Sequence, residues 1–182
     1  GRIRYLLSFL SFIFLLEIII RKNDLHHNPK PSVELLAPAG SPENFHIAIE
    51  SGANAVYCGI DSFNARLRAK NLSLKTLSYL IPFAHKNNVK VYITLNTLIK
   101  HHELNLIINL LFQLEGLGVD AVIVQDIGLS QIIRQHFPNL TIHGSTQMAV
   151  HNSAGAHQAS KMGLKRIILA REMTLEEICS VT

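Results

Sequence analysis

The sequence predicts an α/β fold, a parallel (β/α)8 barrel of the TIM type that is truncated after about six βα units, over residues 33–182. Six short runs rich in β-branched residues alternate with longer helical patterns. The runs are almost continuously apolar, as expected for parallel strands that are buried on both faces. They start 20 to 34 residues apart, which fits strand–helix–strand crossovers. The predicted strands are residues 33–37, 55–59, 89–95, 121–125, 141–145 and 166–170.

Two architectures share this order of elements, an open doubly wound sheet and a closed barrel. The first strand is followed by PAGSPENF and not by a GxGxxG motif, which weakens a dinucleotide-binding interpretation. A complete barrel takes about 250 residues, whereas residues 33–182 provide 150. We therefore favour a barrel that is incomplete at its C-terminus, and we expect the chain to be a fragment.

The helices between these strands carry start and stop signals. Ser41-Pro42-Glu43 combines an N-cap residue, a proline at the first helical position and an acid at the positive helix end. Pro82 is expected to kink or split a helix over residues 74–87. Thr174 and Glu177 form a capping-box pattern. A further helix has an apolar stripe and ends at two glycines, with Leu104, Ile107, Ile108, Leu111 and Leu114 followed by Gly116 and Gly118.

Residues 1–32 form an apolar and basic leader, which carries +3 of the net charge of +4. Its apolar run, residues 5–20, is shorter than the roughly 20 residues of a transmembrane helix and contains Glu17. No small-residue cleavage site follows it. A membrane anchor, a cleaved export signal and an extension outside the fold remain as alternatives. We expect the extension, with Pro29 and Pro31 in a linker, and membrane contact only if residues 5–20 are a genuine part of the protein.

Residues 33–182 carry 12 basic and 11 acidic side chains, a net charge of +1. Bulk charge therefore gives no argument for RNA or DNA binding. Cys58 and Cys179 are the only cysteines, which excludes a disulfide scaffold and a self-contained four-cysteine metal site. This cysteine content suits a reducing compartment. We expect a cytoplasmic location, with membrane anchorage through residues 5–20 as the alternative.

Both architectures place their site beyond the carboxyl ends of the parallel strands, and polar residues occur at these ends. Three arginines among them can bind carboxylate or phosphate in bidentate fashion. Gly40 and Ser41 precede a helix and offer backbone N–H groups to an anion. The sequence therefore predicts a site for an anionic small molecule, and no metal site. The predicted substrate-binding residues are Asn64, Arg66, Arg68, Asn96, Gln125, Asp126, Ser145, Gln147, Arg171 and Glu172.

The candidate nucleophiles are poorly supported. His143 and Ser145 face the same side of one strand, but neighbours at this spacing lie about 6–7 Å apart, too far for a nucleophile and its base. Cys58 lies inside an apolar strand, so we interpret it as a packing residue. The sequence assigns no catalytic residue.

Six segments of the chain form a recognisable set. They are ELLAPAGSPENF (34–45), GANAVYCGIDSFNARLRAKN (52–71), YITLNTL (92–98), GVDAVIVQDIG (118–128), HGSTQMAVHN (143–152) and GLKRIILARE (163–172). In this order and at this spacing they resemble the peptidase U32 family. The resemblance extends over residues 33–182 and leaves the leader uncovered.

The resemblance implies a barrel-like catalytic domain. The family is named after collagenase-like proteases, and similar members take part in hydroxylation of tRNA or 23S rRNA bases, or of ubiquinone precursors without oxygen. Those members share prephenate-linked chemistry and, in several cases, an iron–sulfur cluster whose cysteines lie mostly beyond the matched region. The resemblance thus implies three kinds of partner: a prephenate-like anion, a tRNA or rRNA, and a second protein subunit. Residues 33–182 supply no cofactor site, and a 4Fe–4S cluster would need ligands from a region beyond residue 182.

The matching FNAR motif makes Asn64 and Arg66, followed by Arg68, the strongest candidates for substrate contact. Prephenate is a dicarboxylate, so arginines at strand ends suit it chemically. The resemblance does not fix individual roles. The next candidates are Gln125, Asp126, Ser145 and Gln147, then Arg171 and Glu172.

Three functions follow as hypotheses. The favoured one is an enzyme, or an accessory subunit, for hydroxylation of an RNA base or a quinone precursor. The second is a collagenase-like peptidase, although the sequence contains no assembled triad, zinc motif or aspartate pair. The third is a non-catalytic fragment or scaffold, because two barrel units are missing.

Overall fold

The computed structural model describes residues 17–19, 33–65 and 71–181. The strands are β1 (Glu17–Ile19), β2 (Leu36–Pro38), β3 (Ala55–Gly59), β4 (Lys90–Leu95), β5 (Ala121–Val124), β6 (Ile142–Gly144) and β7 (Arg166–Ile168). The α-helices are α1 (Pro42–Glu50), α2 (Leu74–Lys86), α3 (Leu104–Leu117), α4 (Ile127–His136), α5 (Ser153–Lys161) and α6 (Leu175–Val181). Short 3-10 helices occupy His101–Glu103 and Thr146–Met148.

The strands form one sheet in the order β1-β7-β6-β5-β4-β3-β2. Every pair from β2 to β7 is parallel, with Leu36 opposite Ala55 at one end and Gly144 opposite Ile167 at the other. The six parallel strands curl into a half-barrel and alternate with helices. This confirms the predicted barrel-type fold and all six predicted strands, whose observed bounds differ from the expected ones by up to three residues.

Of the leader, only Glu17–Ile19 falls within the described residues. This segment pairs antiparallel with β7, with Ile18 opposite Ile167. It therefore adds a seventh strand, which the sequence analysis did not predict, to the sheet. The rest of residues 5–20, and the linker prolines, lie outside the described residues. Among the helices that the structure describes, none combines the length and the apolarity needed to cross a bilayer.

The side chains of the sheet divide into two apolar clusters. The larger cluster packs the outer face of the strands against the helices and contains Val56, Ile93 and Val122. A smaller cluster lies on the inner face and contains Leu36, Tyr92 and Ile168 from three separate strands. This alternation follows from the two-residue period of a strand. Residues two apart along a strand therefore face the inside of the curl together.

Three of the helix signals in the sequence act as expected, whereas Gly116, which was also predicted to end a helix, lies inside α3. Ser41 Oγ accepts a hydrogen bond from the Asn44 backbone N–H at the start of α1. Gly118 ends α3 in the left-handed conformation, with φ of 75°. Thr174 and Glu177 form the predicted reciprocal pair, with donor–acceptor distances of 2.7 Å and 3.3 Å.

Pro82 does not split its helix, because α2 runs without interruption from Leu74 to Lys86. The proline has no N–H to donate to the carbonyl of Ser78, one turn earlier. Both residues are exposed, so water can hydrogen-bond that carbonyl instead. The prediction of a split was therefore wrong, because the proline lies on the solvent face, and the alternative prediction of a kink stays a prediction.

Candidate functional site

A cavity of about 140 Å³ opens at the carboxyl ends of the parallel strands. Its walls come from β2 to β7 and the loops that follow them, which is the region where barrel folds place their ligands. The lining residues are Leu36, Pro38, Ala39, Gly40, Tyr57, Cys58, Gly59, Asn64, Asn71, Thr94, Asn96, Ile123, Ser145, Thr146, Ile168 and Arg171.

The structure brings five of the predicted site residues together around this cavity. Gly40 follows β2, Asn64 follows β3 and Asn96 follows β4, while Ser145 and Arg171 follow β6 and β7. The meeting of residues so far apart in sequence results from the curl of the sheet. Arg66 and Arg68, which the FNAR motif placed foremost, lie outside the described residues, so their role stays a sequence-based prediction.

Five other predicted residues do not line the cavity: Ser41, Gln125, Asp126, Gln147 and Glu172. Asp126 is occupied as the N-cap of α4, where its Oδ1 accepts from the Leu129 N–H at 2.7 Å. Its Oδ2 accepts from the Ile99 N–H at 3.1 Å. Ser41 likewise caps α1. Gln147 and Glu172 are exposed.

Three asparagines form one side of the cavity. The Asn64 Nδ2 donates to Asn71 Oδ1 at 2.8 Å, and Asn64 is almost fully buried. The Ala65 backbone N–H donates to Asn96 Oδ1 at 3.1 Å. Gly59 makes room for the pair, because a Cβ there would lie 1.8 Å from Asn64 Nδ2. These bonds hold the amides in defined orientations.

The backbone just before Asn64 is strained. Phe63 has φ of 57°, in the left-handed region that a bulky residue seldom adopts. Such a conformation costs about 1–3 kcal/mol and persists only where the surrounding structure enforces it. Here it accompanies the turn that carries Asn64 into the cavity.

The described lining carries one formal charge, which is the positive charge of Arg171, and no Asp or Glu side chain. The other polar groups are amides, hydroxyls and backbone atoms. Burial raises the pKa of the Cys58 thiol to about 12, so this side chain stays protonated at neutral pH. A wall with one guanidinium and several neutral donors favours an anionic ligand.

Ser145 is not prepared as a nucleophile. Its Oγ accepts a hydrogen bond from the Gln147 N–H at 3.2 Å, which begins the 3-10 helix Thr146–Met148. Among the described residues, no hydrogen bond joins it to His143, whose Nδ1 is buried without a partner. Burial, followed by the nearby charge of Arg166, lowers the pKa of His143 to about 3. A base of that strength cannot activate a hydroxyl at neutral pH.

A second polar group fills the half-barrel below the cavity, at the amino-terminal side of the strands. Glu34 Oε1 accepts from Arg166 Nη1 at 2.6 Å and from the Tyr92 hydroxyl at 2.7 Å, and Oε2 accepts from Lys90 Nζ at 2.9 Å. His143 stacks edge-on against Tyr92, with ring centroids 4.7 Å apart. Burial alone would raise the pKa of Glu34, but the three donors outweigh burial and lower it to about 2.

The described residues do not fit a metal or an iron–sulfur cluster. Within them, no group of three or more His, Cys, Asp or Glu side chains could hold a metal ion. Cys58 is buried in β3, and Cys179 is exposed on α6. No chemical step is therefore assigned to such a group in this part of the protein.

Sequence reasoning missed several residues of the site. Asn71, Tyr57 and Thr94 line the cavity but were not predicted. Tyr57 and Thr94 could have been found by counting back two residues from Gly59 and Asn96, because residues two apart share a face. Asn71 follows the segment 66–70, and the residues around it in sequence do not mark it as a site residue. The Glu34–Arg166 pair depends on the curl of the sheet, which sequence spacing does not reveal.

Comparison with known proteins gives consistent results. Residues 40–182 match peptidase family U32. The chain is 42% identical over 146 residues to an uncharacterized protease of Methanocaldococcus jannaschii, covering 80% of this chain and 35% of that protein. It is 40% identical over 149 residues to the 23S rRNA 5-hydroxycytidine C2501 synthase of Escherichia coli (82% and 22%). It is 38% identical over 145 residues to the tRNA hydroxylation protein P of Escherichia coli (80% and 32%).

The chain thus spans about a third or less of the length of these relatives. Among solved structures, a U32 peptidase superposes with a TM-score of 0.66 at 15% identity, over 87% of this chain and 68% of that one. A phosphoenolpyruvate phosphomutase from Streptomyces platensis subsp. rosaceus superposes with a TM-score of 0.58 at 13% identity (83% and 64%). At these identities, the structural likeness shows the fold alone.

Proposed function

The chain belongs to peptidase family U32, and we propose that it forms the ligand-binding barrel of a cytoplasmic protein that takes part in the hydroxylation of an RNA base. The proposal assigns the cavity at the carboxyl ends of the strands to a small anionic ligand, of which prephenate is the expected example. It assigns the RNA substrate, tRNA or rRNA, to the complete protein. A partner subunit and an iron–sulfur cluster belong to the same proposal, with cluster ligands from outside residues 1–182.

The observation that carries the proposal is the composition of the cavity. Arg171 provides a guanidinium and the opposite wall provides carboxamides, with no acidic side chain among the described lining residues. A carboxylate bound there would gain a charge-assisted hydrogen bond without facing a like charge. The cavity of about 140 Å³ has room for a small molecule but not for a segment of folded RNA. The RNA would therefore contact the rim of the cavity.

The names of the relatives favour RNA hydroxylation as the reaction that this ligand serves. The 23S rRNA 5-hydroxycytidine synthase and the tRNA hydroxylation protein P match at 40% and 38% identity over four fifths of this chain. The residues assigned to ligand binding are Gly40, Asn64, Asn96, Ser145 and Arg171, together with Arg66 and Arg68 as sequence-based candidates.

The test compares RNA from cells that lack the gene with RNA from cells that express the intact protein or its Arg171→Gln variant. Mass spectrometry of digested nucleosides should show a hydroxylated base that disappears on deletion and returns with the wild-type gene. Arg171→Gln should restore little of it. Lys75→Gln, which removes an exposed positive charge from α2, should restore it fully. Identical nucleoside profiles in all strains would overturn the RNA proposal.

Peptide hydrolysis is the second candidate, because one relative is called an uncharacterized protease and another, at 28% identity, is called a collagenase. The geometry of the described residues gives it little support. Ser145 caps a helix, the Cys58 thiol is protonated, and His143 is too weak a base. Incubation of the intact protein with gelatin, with and without chelator, tests this candidate, and cleavage that depends on Ser145 would favour it.

A further inference from the structure

The orientation of the Asn96 carboxamide is set by the protein backbone. Its Oδ1 accepts the hydrogen bond from the Ala65 N–H, so its NH2 group is the part left to interact with a ligand. Asn96 directly follows β4 and lines the cavity together with Thr94, two residues earlier on the same inner face. None of the described residues accepts a hydrogen bond from this NH2 group.

The Asn71 carboxamide is oriented in the same way, through its oxygen. Its Oδ1 accepts from Asn64 Nδ2 at 2.8 Å, and its own NH2 group has no acceptor among the described residues. Gly59 leaves the space for this contact, since a Cβ there would also lie 2.6 Å from Asn71 Oδ1. The cavity wall after β3 and β4 therefore presents two carboxamide NH2 groups whose oxygens are already engaged.

Arg171 lies on the other side of this cavity, after β7. The curl of the sheet brings the outer parallel strands together, so that Leu36 of β2 and Ile168 of β7 share one inner cluster and both line the cavity. A ligand inside it thus meets a charged donor on one side and neutral donors on the other.

We propose that Asn71 and Asn96 form a second recognition point of the cavity, and that its ligand carries two oxygen-bearing groups: an anionic group bound by Arg171 and an acceptor oxygen bound by the two carboxamides. This inference rests on the proposed function and specifies its ligand as a dicarboxylate or an oxo acid rather than a simple monoanion. The two carboxamides are neutral, so the protein does not have to desolvate a second charged side chain when they donate to the acceptor oxygen.

The test uses two substitutions that keep the internal hydrogen bonds and change only the groups offered to the ligand. Asn96→Asp still accepts from the Ala65 N–H, and Asn71→Asp still accepts from Asn64, but each replaces an NH2 donor by a carboxylate oxygen. Binding of prephenate to the intact protein is measured by titration calorimetry. We expect each variant to bind at least about tenfold more weakly than wild type.

Asn139→Asp is the matched control, because it adds the same charge at an exposed position before β6, away from the cavity, and should bind as wild type does. Circular dichroism and thermal unfolding establish that all variants are folded. Prephenate binding that both cavity variants leave unchanged would overturn this inference and leave the proposed function intact. If the wild-type protein binds no prephenate, the assigned ligand of the proposed function and this inference both fail.

Discussion

Glu34 and Arg166, which are 132 residues apart in sequence, form an ion pair of 2.6 Å between Oε1 and Nη1 inside the half-barrel. Glu34 precedes β2 and Arg166 opens β7, so the pair connects the first and last parallel strands. Two residues further along each strand, Leu36 and Ile168 line the cavity. The ion pair thus fixes the separation of two cavity walls from below.

Replacing Glu34 by glutamine should lower the free energy of unfolding by about 3 kcal/mol, because the buried Arg166 loses its ion pair with the Glu34 carboxylate. Urea denaturation at pH 7 measures this loss. The control is Glu50→Gln, which removes a carboxylate from the exposed end of α1 and should change stability by less than about 0.5 kcal/mol. Equal stabilities of the two variants would contradict a structural role for the pair.

The contribution of Glu34 should also depend on pH. Its pKa is about 2 in the folded chain, against an ordinary value of 4.5. Because the folded-state pKa is the lower one, the stabilisation is complete above pH 4.5 and is lost as the pH falls toward 2. The difference between wild type and Glu34→Gln should therefore shrink across that window, and a constant difference would show that the carboxylate charge is not its source.

The contribution of His143 to folding stability should depend on pH over a different range. Its pKa falls from 6.5 to about 3 on folding, so the unfolded chain takes up the proton first as the solution is acidified. Stability present above pH 6.5 should decline toward pH 3 by up to about 1.4 kcal/mol per pH unit. In His143→Gln this decline should be smaller between pH 6.5 and 4.5, where Glu34 remains ionised. The exposed His157→Gln serves as the control, and equal slopes in both variants would refute the assignment.

The fold was predictable because its signals are local. Six apolar runs, a Ser-Pro-Glu helix start and a capping box each depend on neighbouring residues, and the structure confirms them. Pro82 shows the limit of such rules, since the effect of a proline depends on whether water reaches the carbonyl that it leaves unbonded.

The site was only partly predictable, for two physical reasons. A residue that follows a strand can either face the cavity or start the next helix, and Asp126 does the latter because its carboxylate caps α4. The aspartate immediately before a helical pattern is itself an N-cap signal that could have been recognised. In contrast, the contacts of Glu34 with Arg166 and of Asn64 with Asn71 depend on the three-dimensional path of the sheet and its loops, which spacing does not encode.

Cys58 should resist alkylation in the folded protein. It is buried, and its pKa of about 12 leaves almost no thiolate at pH 8. Iodoacetamide should therefore label the exposed Cys179 first, as peptide mass spectrometry would show, and label both cysteines in urea. Labelling of Cys58 at the rate of Cys179 in the folded state would reopen its interpretation as a nucleophile.

Gly59 offers the sharpest test of how the cavity is built. Its added Cβ would lie 1.8 Å from Asn64 Nδ2 and 2.6 Å from Asn71 Oδ1, so Gly59→Ala must displace the amide pair. We expect a stability loss of about 1–3 kcal/mol from overpacking, together with weaker prephenate binding.

Gly116→Ala in α3 is the matched control, because no atom lies within 4 Å of the added Cβ. Alanine is the better helix former, so this variant should gain about 0.5–1 kcal/mol and bind unchanged. Wild-type stability and binding in Gly59→Ala would mean that the amide pair moves without consequence, and that its position does not define the cavity.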